Sequence, residues 1–361
     1  MNHANSQLFP ELGFYTLPGH TRTPADMLDE IRQAETLGMG SAWISERFDV
    51  KEAAALCGAG IAVSDQIFIG TAATNTNLRH PLLTAAMANT LHSLSAGRFA
   101  LGLARGVGIR QQLMGVDGVN NAQLRDFADI MRKLWHGEKV MYDGPLGKLP
   151  YLHINDDNDA DIPLMFVGFG EKSLAFAATV FDGIILHTFI SDEALARCVC
   201  IIRQSAEKAG RDPDKIKIWS VLATACDANE SQYLRYIVAR MATYLQAPGY
   251  GELLVKTNRW DEKILADFRA DAVVTSMAGA IDSVANLEQL QYIRSLIPQH
   301  WLPAATGSPE QCAKRFNEQF DAGADGVIIH ASTPAEFAPV LHAYNKIRRH
   351  QQFAGRSRRP A

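Results

Sequence analysis

The sequence predicts a parallel α/β protein closed into a single barrel, and three observations predict it. Strand-like and helix-like stretches alternate almost from end to end, about eight times, which is the pattern of strand–helix–strand units on one parallel sheet. The strand-like stretches are short apolar runs without polar alternation, as in strands buried on both faces. Polar and glycine-rich residues collect directly behind them, where parallel α/β proteins bind ligands. All three meet in Gln66 to Gly108, which reads as strand, polar turn, helix, strand and glycine-rich turn. A doubly wound open sheet is the alternative architecture.

In order, Leu12 to Leu17 is a first strand, and Thr23 opens a helix with Pro24 in its first turn that ends at Gly38. Ser41 to Ser45 is the second strand and Lys51 to Val63 a helix. Ile67 to Gly70 and Phe99 to Leu103 are strands three and four, joined by a helix from Pro81 to Leu94. Asn121 to Trp135 is a helix turning Leu124, Phe127, Ile130, Met131 and Leu134 inward. The turn residues Asp143, Gly144, Pro145 and Gly147 mark Met141 to Ile154 as a hairpin insertion. Pro163 to Val167 is strand five, Lys172 to Val180 a helix, Gly183 to Leu186 strand six, Asp192 to Ala209 a helix and Lys217 to Ala223 strand seven. Strand eight, Gly326 to His330, follows a helix from Pro309 to Phe320 that is capped by Ser308 and stopped at Gly323. Pro334 to Ile347 is the last helix. Between strands seven and eight, about 229–306 reads as an irregular insertion with helical patterns at Tyr233 to Tyr244 and Leu287 to Leu296, and it is expected to wall the substrate. No linker divides the chain, so residues 1–361 are read as one domain.

With 361 residues, of which 47% are hydrophobic and 20% charged, the chain can bury a large core. A net charge of -4 gives no long-range pull toward nucleic acid or an anionic membrane. The basic tail, about 350–361, reads as a solvated end. Five cysteines with no CxxC pair read as reduced thiols of a cytosolic protein. Met1 to Pro10 has neither the basic start nor the apolar run of a signal peptide, and no apolar run approaches the ~20 residues of a membrane span. A soluble cytoplasmic protein is expected, acting on a small molecule as a homodimer. No HExxH, clustered Cys/His set or GxxxxGK[ST] is present, so neither a metal nor a P-loop is expected.

Candidate site residues follow from the strand ends. Gly168, Phe169 and Gly170 open a helix behind strand five, where free backbone N–H groups and a positive helix end suit a phosphate, although glycines there also serve as simple turn residues. Ala72 and Ala73 are small enough to let a flat ring approach the backbone, and they also suit plain strand packing. Asn75 carries an amide able to pair with a ring edge or to close an Asx-turn. Arg47 and Arg105, the latter followed by Gly106, make the mouth cationic or form structural ion pairs. His20 and His187 lie behind strands one and six as acid/base candidates or hydrogen-bonded loop residues. Arg79-His80-Pro81 starts the third helix and is read as structural.

The stretches GTAATNTNLRHP and LSAGRFALGLARG resemble the third strand, third helix and fourth strand of the bacterial luciferase-like superfamily of flavin and deazaflavin oxidoreductases, whose fold is a TIM (β/α)8 barrel. The resemblance covers about 12–227 and 302–349 and is strongest to the branch that uses the deazaflavin coenzyme F420. It implies a non-proline cis peptide between Ala72 and Ala73 backing the ring, a phosphate at Gly168 to Gly170, Asn75 on the pyrimidine edge, and an acid at Glu46 near the ring. Two positions depart from the family. Arg47 stands where F420 enzymes show histidine, and Val107 where sugar-phosphate dehydrogenases have glutamate. The implied activity is hydride transfer between F420 and a small organic substrate. An FMN monooxygenase, a non-catalytic flavin-binding barrel and a phosphate-sugar aldolase or isomerase are the alternatives, the last disfavoured because no predicted strand ends in lysine.

Overall fold

Apolar runs that cannot leave a polar face to solvent become strands covered on both sides, and the barrel strands are of this kind among the twelve strands of the described residues. The computed structural model describes residues 8–361 apart from Arg22, Asp49 and Val107. The strands are β1 (Phe9–Tyr15), β2 (Met39–Ile44), β3 (Phe68–Thr71), β4 (Thr74–Asn75), β5 (Phe99–Ala104), β6 (Val140–Gly144), β7 (Gly147–Leu152), β8 (Leu164–Val167), β9 (Gly183–Ile185), β10 (Lys217–Cys226), β11 (Ala305–Gly307) and β12 (Gly326–His330). Parallel pairing runs β1-β2-β3-β5-β8-β9-β10-β12 and returns to β1, so eight strands close a TIM barrel. Strands β6 and β7 form the antiparallel hairpin that the turn residues predict. The short β11 pairs with the last residues of β10, Thr224 to Cys226, which run past the barrel.

Helices pack outside the barrel. The helix Asn121–Trp135 begins at a reciprocal cap between Asn120 and Gln123 and buries the five residues predicted to face inward. The helices Pro81–Leu94 and Pro334–Ile347 lie as predicted. The helix expected from Lys51 starts instead at Ala53, because the Glu52 carboxylate caps it by accepting the Ala55 N–H while Lys51 pairs its backbone with Arg47.

Inward residues of alternate strands fill the barrel, with Trp43 and Trp219 tilted against each other at 6.1 Å and Phe68, Met165, Ile185 and Ile328 around them. Room for the indoles comes from glycines opposite. A Cβ at Gly70 would stand 2.5 Å from the Trp43 ring, and one at Gly326 the same distance from the Trp219 ring.

Two expectations change. The insertion is helical along most of its length, with helices at Glu230–Tyr233, Ala239–Gln246, Tyr250–Asn258, Glu262–Ala270 and Leu287–Leu296 among others. Its starts are set by side-chain caps at Asn229, Asp261 and Asn286. The basic tail is not a solvated end. Pro360 is buried and its carbonyl accepts the Trp219 indole N–H at 3.0 Å, while Ala361 packs on the barrel interior. The Arg356 guanidinium covers the Trp219 ring at 5.5 Å, Arg358 donates to Gln66 and Arg359 to Asp161. The tail thus plugs the end of the barrel where the strands begin, and its charge is spent on αβ turns there.

Removing residues 356–361 would strip the partner from a buried indole N–H and uncover the ring. Unfolding free energy is expected to fall by about 2 kcal/mol, with tryptophan emission shifted to the red, as read by chemical denaturation; unchanged stability would show the plug to be idle.

Candidate active site

Strand period two decides what faces the opposite mouth. Gly13, Ile185 and Ile328 point into the barrel, so Tyr15, His187 and His330, each two residues on, form the next inward layer. The insertion adds Arg240, Tyr244 and Tyr250. Phe169 stacks on His187 at 4.8 Å, Tyr244 and Tyr250 meet the same imidazole edge-on at 4.7 and 5.1 Å, and Tyr15 meets His330 edge-on at 5.8 Å. This aromatic wall stands across from the turn behind β3.

At that turn the peptide between Ala72 and Ala73 is cis, as the family resemblance implies. Ala72 is buried in the barrel, whereas Ala73 keeps partial exposure. Asn75 pairs its backbone with Ala104 in β5, so the Asx-turn alternative is not realised, and its amide makes no hydrogen bond among the described residues. Gly106 lies alongside.

The turn is braced from behind by Glu46. Its N–H donates to the Ala73 carbonyl at 3.2 Å, and its carboxylate accepts from Thr74 Oγ1 at 2.7 Å and from both Arg79 Nη atoms. With the side chain 2% exposed, Glu46 holds the platform and does not lie open to a ring, and the hydrogen bonds that Arg79 donates to Glu46 hold its guanidinium more firmly protonated. Arg79 is structural, as read from the sequence.

Arg47 donates to the Gly19 carbonyl at 3.0 Å. Arg105 donates to the Val119 carbonyl and to Asn121, yet its Nε is buried without a partner among the described residues. His20 is half exposed on the rim and meets Asp282 at 3.2 Å and Ser283 at 3.1 Å, so it joins the first loop to the insertion. Arg240 also engages Asp282, at 2.6 Å. Behind β8, the Gly168 N–H is already given to the Ile185 carbonyl at 3.0 Å. The N–H groups of Phe169 and Gly170 have no such acceptor among the described residues, and Gly170 turns the chain at φ +91°. Val107 lies outside the described residues.

Burial pushes the His187 imidazole down to about 4, the Arg240 charge adding to it, and pushes His330 well below the ordinary histidine range. Burial likewise raises the Tyr15, Tyr244 and Tyr250 phenols. At neutral pH the wall is therefore uncharged, apart from the cations above it.

The model of the luciferase-like monooxygenase family matches residues 11–326. The chain belongs to the luciferase-like monooxygenase family. The match runs through the insertion, which the motif resemblance left uncovered. A 5,10-methylenetetrahydromethanopterin reductase from Methanolobus tindarius is 23% identical over 297 residues, 82% of this chain and 86% of the relative. An F420-dependent glucose-6-phosphate dehydrogenase from Nocardia farcinica is also 23% identical, over 327 residues, 85% of this chain and 88% of the relative. Among solved structures, the coenzyme F420-dependent tetrahydromethanopterin reductase from Methanopyrus kandleri superposes with a TM-score of 0.77 at 19% identity, covering 93% of this chain and 99% of that one. No helix of the described residues is long and apolar enough to cross a membrane, and no group of three metal-ligating side chains occurs among them.

Sequence reasoning missed His330, Arg240, Tyr244 and Tyr250. The signal for His330 was in view, since it closes an apolar strand on the parity of Ile328. Nothing local marks the other three, because their place depends on how the insertion folds over the mouth.

A lowered histidine pKa fixes a sign. Between about pH 4 and 6.5 the unfolded chain holds a proton on His187 that the folded chain lacks, so stability falls as pH drops through that window. His187→Phe is expected to lose less stability than the parent from pH 6.5 to 4; parallel melting-temperature profiles would contradict a neutral His187.

Proposed function

We propose that the protein is an oxidoreductase that transfers a hydride between coenzyme F420 and a small organic substrate. The observation that carries this reading is the platform behind β3. A small, partly exposed Ala73, an unspent Asn75 amide and a buried Arg105 Nε without a partner among the described residues sit together at the open end of the barrel, and the glucose-6-phosphate dehydrogenase and the Methanopyrus kandleri reductase that the chain resembles are F420-dependent. These residues fit a flat heterocycle with an anionic edge. The bound deazaflavin supplies a ring carbon that takes or gives a hydride.

The chain's own groups do the rest. Ala73 supports the ring, and Asn75 offers donor and acceptor together to the pyrimidine edge. Arg105 and Arg47 favour the anionic reduced ring and an acidic cofactor tail. The N–H groups of Phe169 and Gly170 take the phosphate. Glu46 acts through Thr74 and Arg79 to keep the platform in place. The insertion covers the mouth and excludes water from the reacting carbon.

The family's own description favours a second reading, an FMN-dependent monooxygenase on the same platform and phosphate turn. Titration of the purified protein with F420 and with FMN, following quenching of each fluorophore, decides between them. F420 is expected to bind more tightly; tighter FMN binding or co-purified stoichiometric FMN would reverse the reading. Ala73→Leu is expected to weaken F420 binding at least about tenfold with little change in melting temperature, because the added methyl groups enter the ring's space and not a packed core. Unchanged affinity would move the ring elsewhere.

A homodimer is proposed through the helices Ala53–Ala62 and Pro81–Leu94. The first is apolar all round, AAALCGAGIA, and leaves Ala55 and Ala62 exposed, while Leu83 and Leu94 on the second are 63% and 68% exposed. Light scattering is expected to give the mass of two chains for the parent and of one for Leu94→Lys. A parent of single-chain mass would end the proposal.

A further inference from the structure

On the side of the barrel where the strands begin, a cavity of about 320 Å³ opens to solvent. It lies between the helix Asn121–Trp135, the turn Ala178 to Asp182 that leads into β9, and Arg211, which follows the helix Asp192–Lys208. Three guanidinium groups line it, and the turn grips each of them by one edge. Arg125 donates through Nη2 to Thr179 Oγ1 at 3.0 Å and lies over the Phe176 ring at 5.5 Å. Arg132 uses both hydrogens of Nη2, on the Val180 carbonyl at 2.8 Å and on Asp182 Oδ1 at 2.9 Å. Arg211 uses both hydrogens of Nη1, on the Ala178 and Phe181 carbonyls, each at 2.8 Å. A guanidinium carries a second Nη with two hydrogens of its own, and in none of the three does that Nη make a hydrogen bond among the described residues.

Charge in the cavity is unequal, with three cations against the carboxylates of Asp129 and Asp182. Asp182 is already engaged, because Oδ1 accepts from Arg132 and Oδ2 accepts the Leu164 N–H at 2.9 Å. Asp129 is exposed, one helical turn from both Arg125 and Arg132, and makes neither ion pair nor hydrogen bond among the described residues. Burial holds the Arg211 guanidinium below its ordinary pKa, and the neighbouring Arg132 charge acts the same way against the pull of Asp182. The cavity therefore offers guanidinium edges to an anion and one carboxylate to a donor.

We propose that this cavity is a binding site for hydrogenphosphate: the guanidinium edges of Arg125, Arg132 and Arg211 hold its charged oxygens, and Asp129 accepts its P–OH. The fork of a guanidinium matches two oxygens of a tetrahedral oxyanion. Asp129 then chooses among such anions, since a carboxylate can only accept. Hydrogenphosphate keeps one proton at neutral pH and gives it to Asp129. Sulfate has none and sets lone pairs against lone pairs. A phosphate monoester, which loses its last proton at about pH 6, stands in the position of sulfate at pH 8. Because Asp129 is exposed, water limits the discrimination to about three- to tenfold. The site is separate from the cofactor reading, since its residues precede β9 and the platform and phosphate turn follow β3 and β8 at the other end of the barrel.

Isothermal titration of the full chain at pH 8 with phosphate, sulfate and phenyl phosphate is the test. Phosphate is expected to bind with a Kd of about 1 mM, and the other two about three- to tenfold more weakly. Arg125→Gln leaves the turn behind β8 intact, so any phosphate binding it removes belongs to this cavity; a loss of at least about fivefold is expected, with the melting temperature of the free protein unchanged. Asp129→Asn, whose amide can donate to sulfate, is expected to bring sulfate to within about twofold of phosphate. No phosphate binding by the parent, equal binding of sulfate, affinity unchanged in Arg125→Gln, or a phosphate preference that survives Asp129→Asn would each overturn the proposal.

Discussion

The carboxylate of Glu46 is the fixed point of the mouth. It is buried against the Arg79 guanidinium, and it receives the Thr74 hydroxyl while its own backbone N–H reaches the Ala73 carbonyl. One residue at the end of β2 thereby ties the turn behind β3 to the start of the next helix, where Arg79 sits two residues before Pro81. Removing Arg79 would leave the Glu46 carboxylate buried without a countercharge, which costs far more than the pair contributes when intact, whereas Arg79 without Glu46 would keep its ion pair with Glu52. The value of such a pair is to fix one arrangement of the turn, and the surface that Ala73 and Asn75 present follows from that arrangement.

Across the mouth the physics is different. Tyr15, His187 and His330 are placed by strand parity, and Tyr244 and Tyr250 by the insertion, so the wall is a joint product of barrel and insertion. The clasp of His20 and Arg240 on Asp282 connects the two. Rings held on several sides lose little freedom when a ligand arrives, so the wall is preorganised for contact with an apolar body. Desolvation also removes charge from the two imidazoles, and the polar character that survives is directional hydrogen bonding.

Much of this was legible in the sequence. Barrel strands announce themselves because both of their faces are buried and so their runs are apolar throughout, and β12 was read to the residue. Helices with strong caps, such as Pro81–Leu94 and Asn121–Trp135, were also read with their true ends. Lys51 was misplaced because an apolar run begins just after it and the cap at Glu52 is an acid, which reads equally well as an exposed helical residue. The insertion reads as irregular because its helices are short and amphipathic in changing directions, although Asn229, Asp261 and Asn286 mark the starts of three of them. The family resemblance puts Glu46 near the ring, but a carboxylate with an arginine at hand after the next strand turns toward the arginine. The tail misled most: arginines suggest solvent, and only the fold reveals that their long stems lie over an indole and their heads reach turn carbonyls and carboxylates.

Because the tail stops up the far end of the barrel, the molecule has a front and a back. Ala361 emerges beside Trp219, on the face from which the strands start, and the mouth with its platform and wall is on the other side. Anything joined to the chain after Ala361, whether a purification tag, a surface anchor or a second enzyme, would leave from the back and let the molecule be tethered with its mouth toward solution. The opposite orientation is not available from that terminus without first pulling the arginines and Pro360 out of their seats.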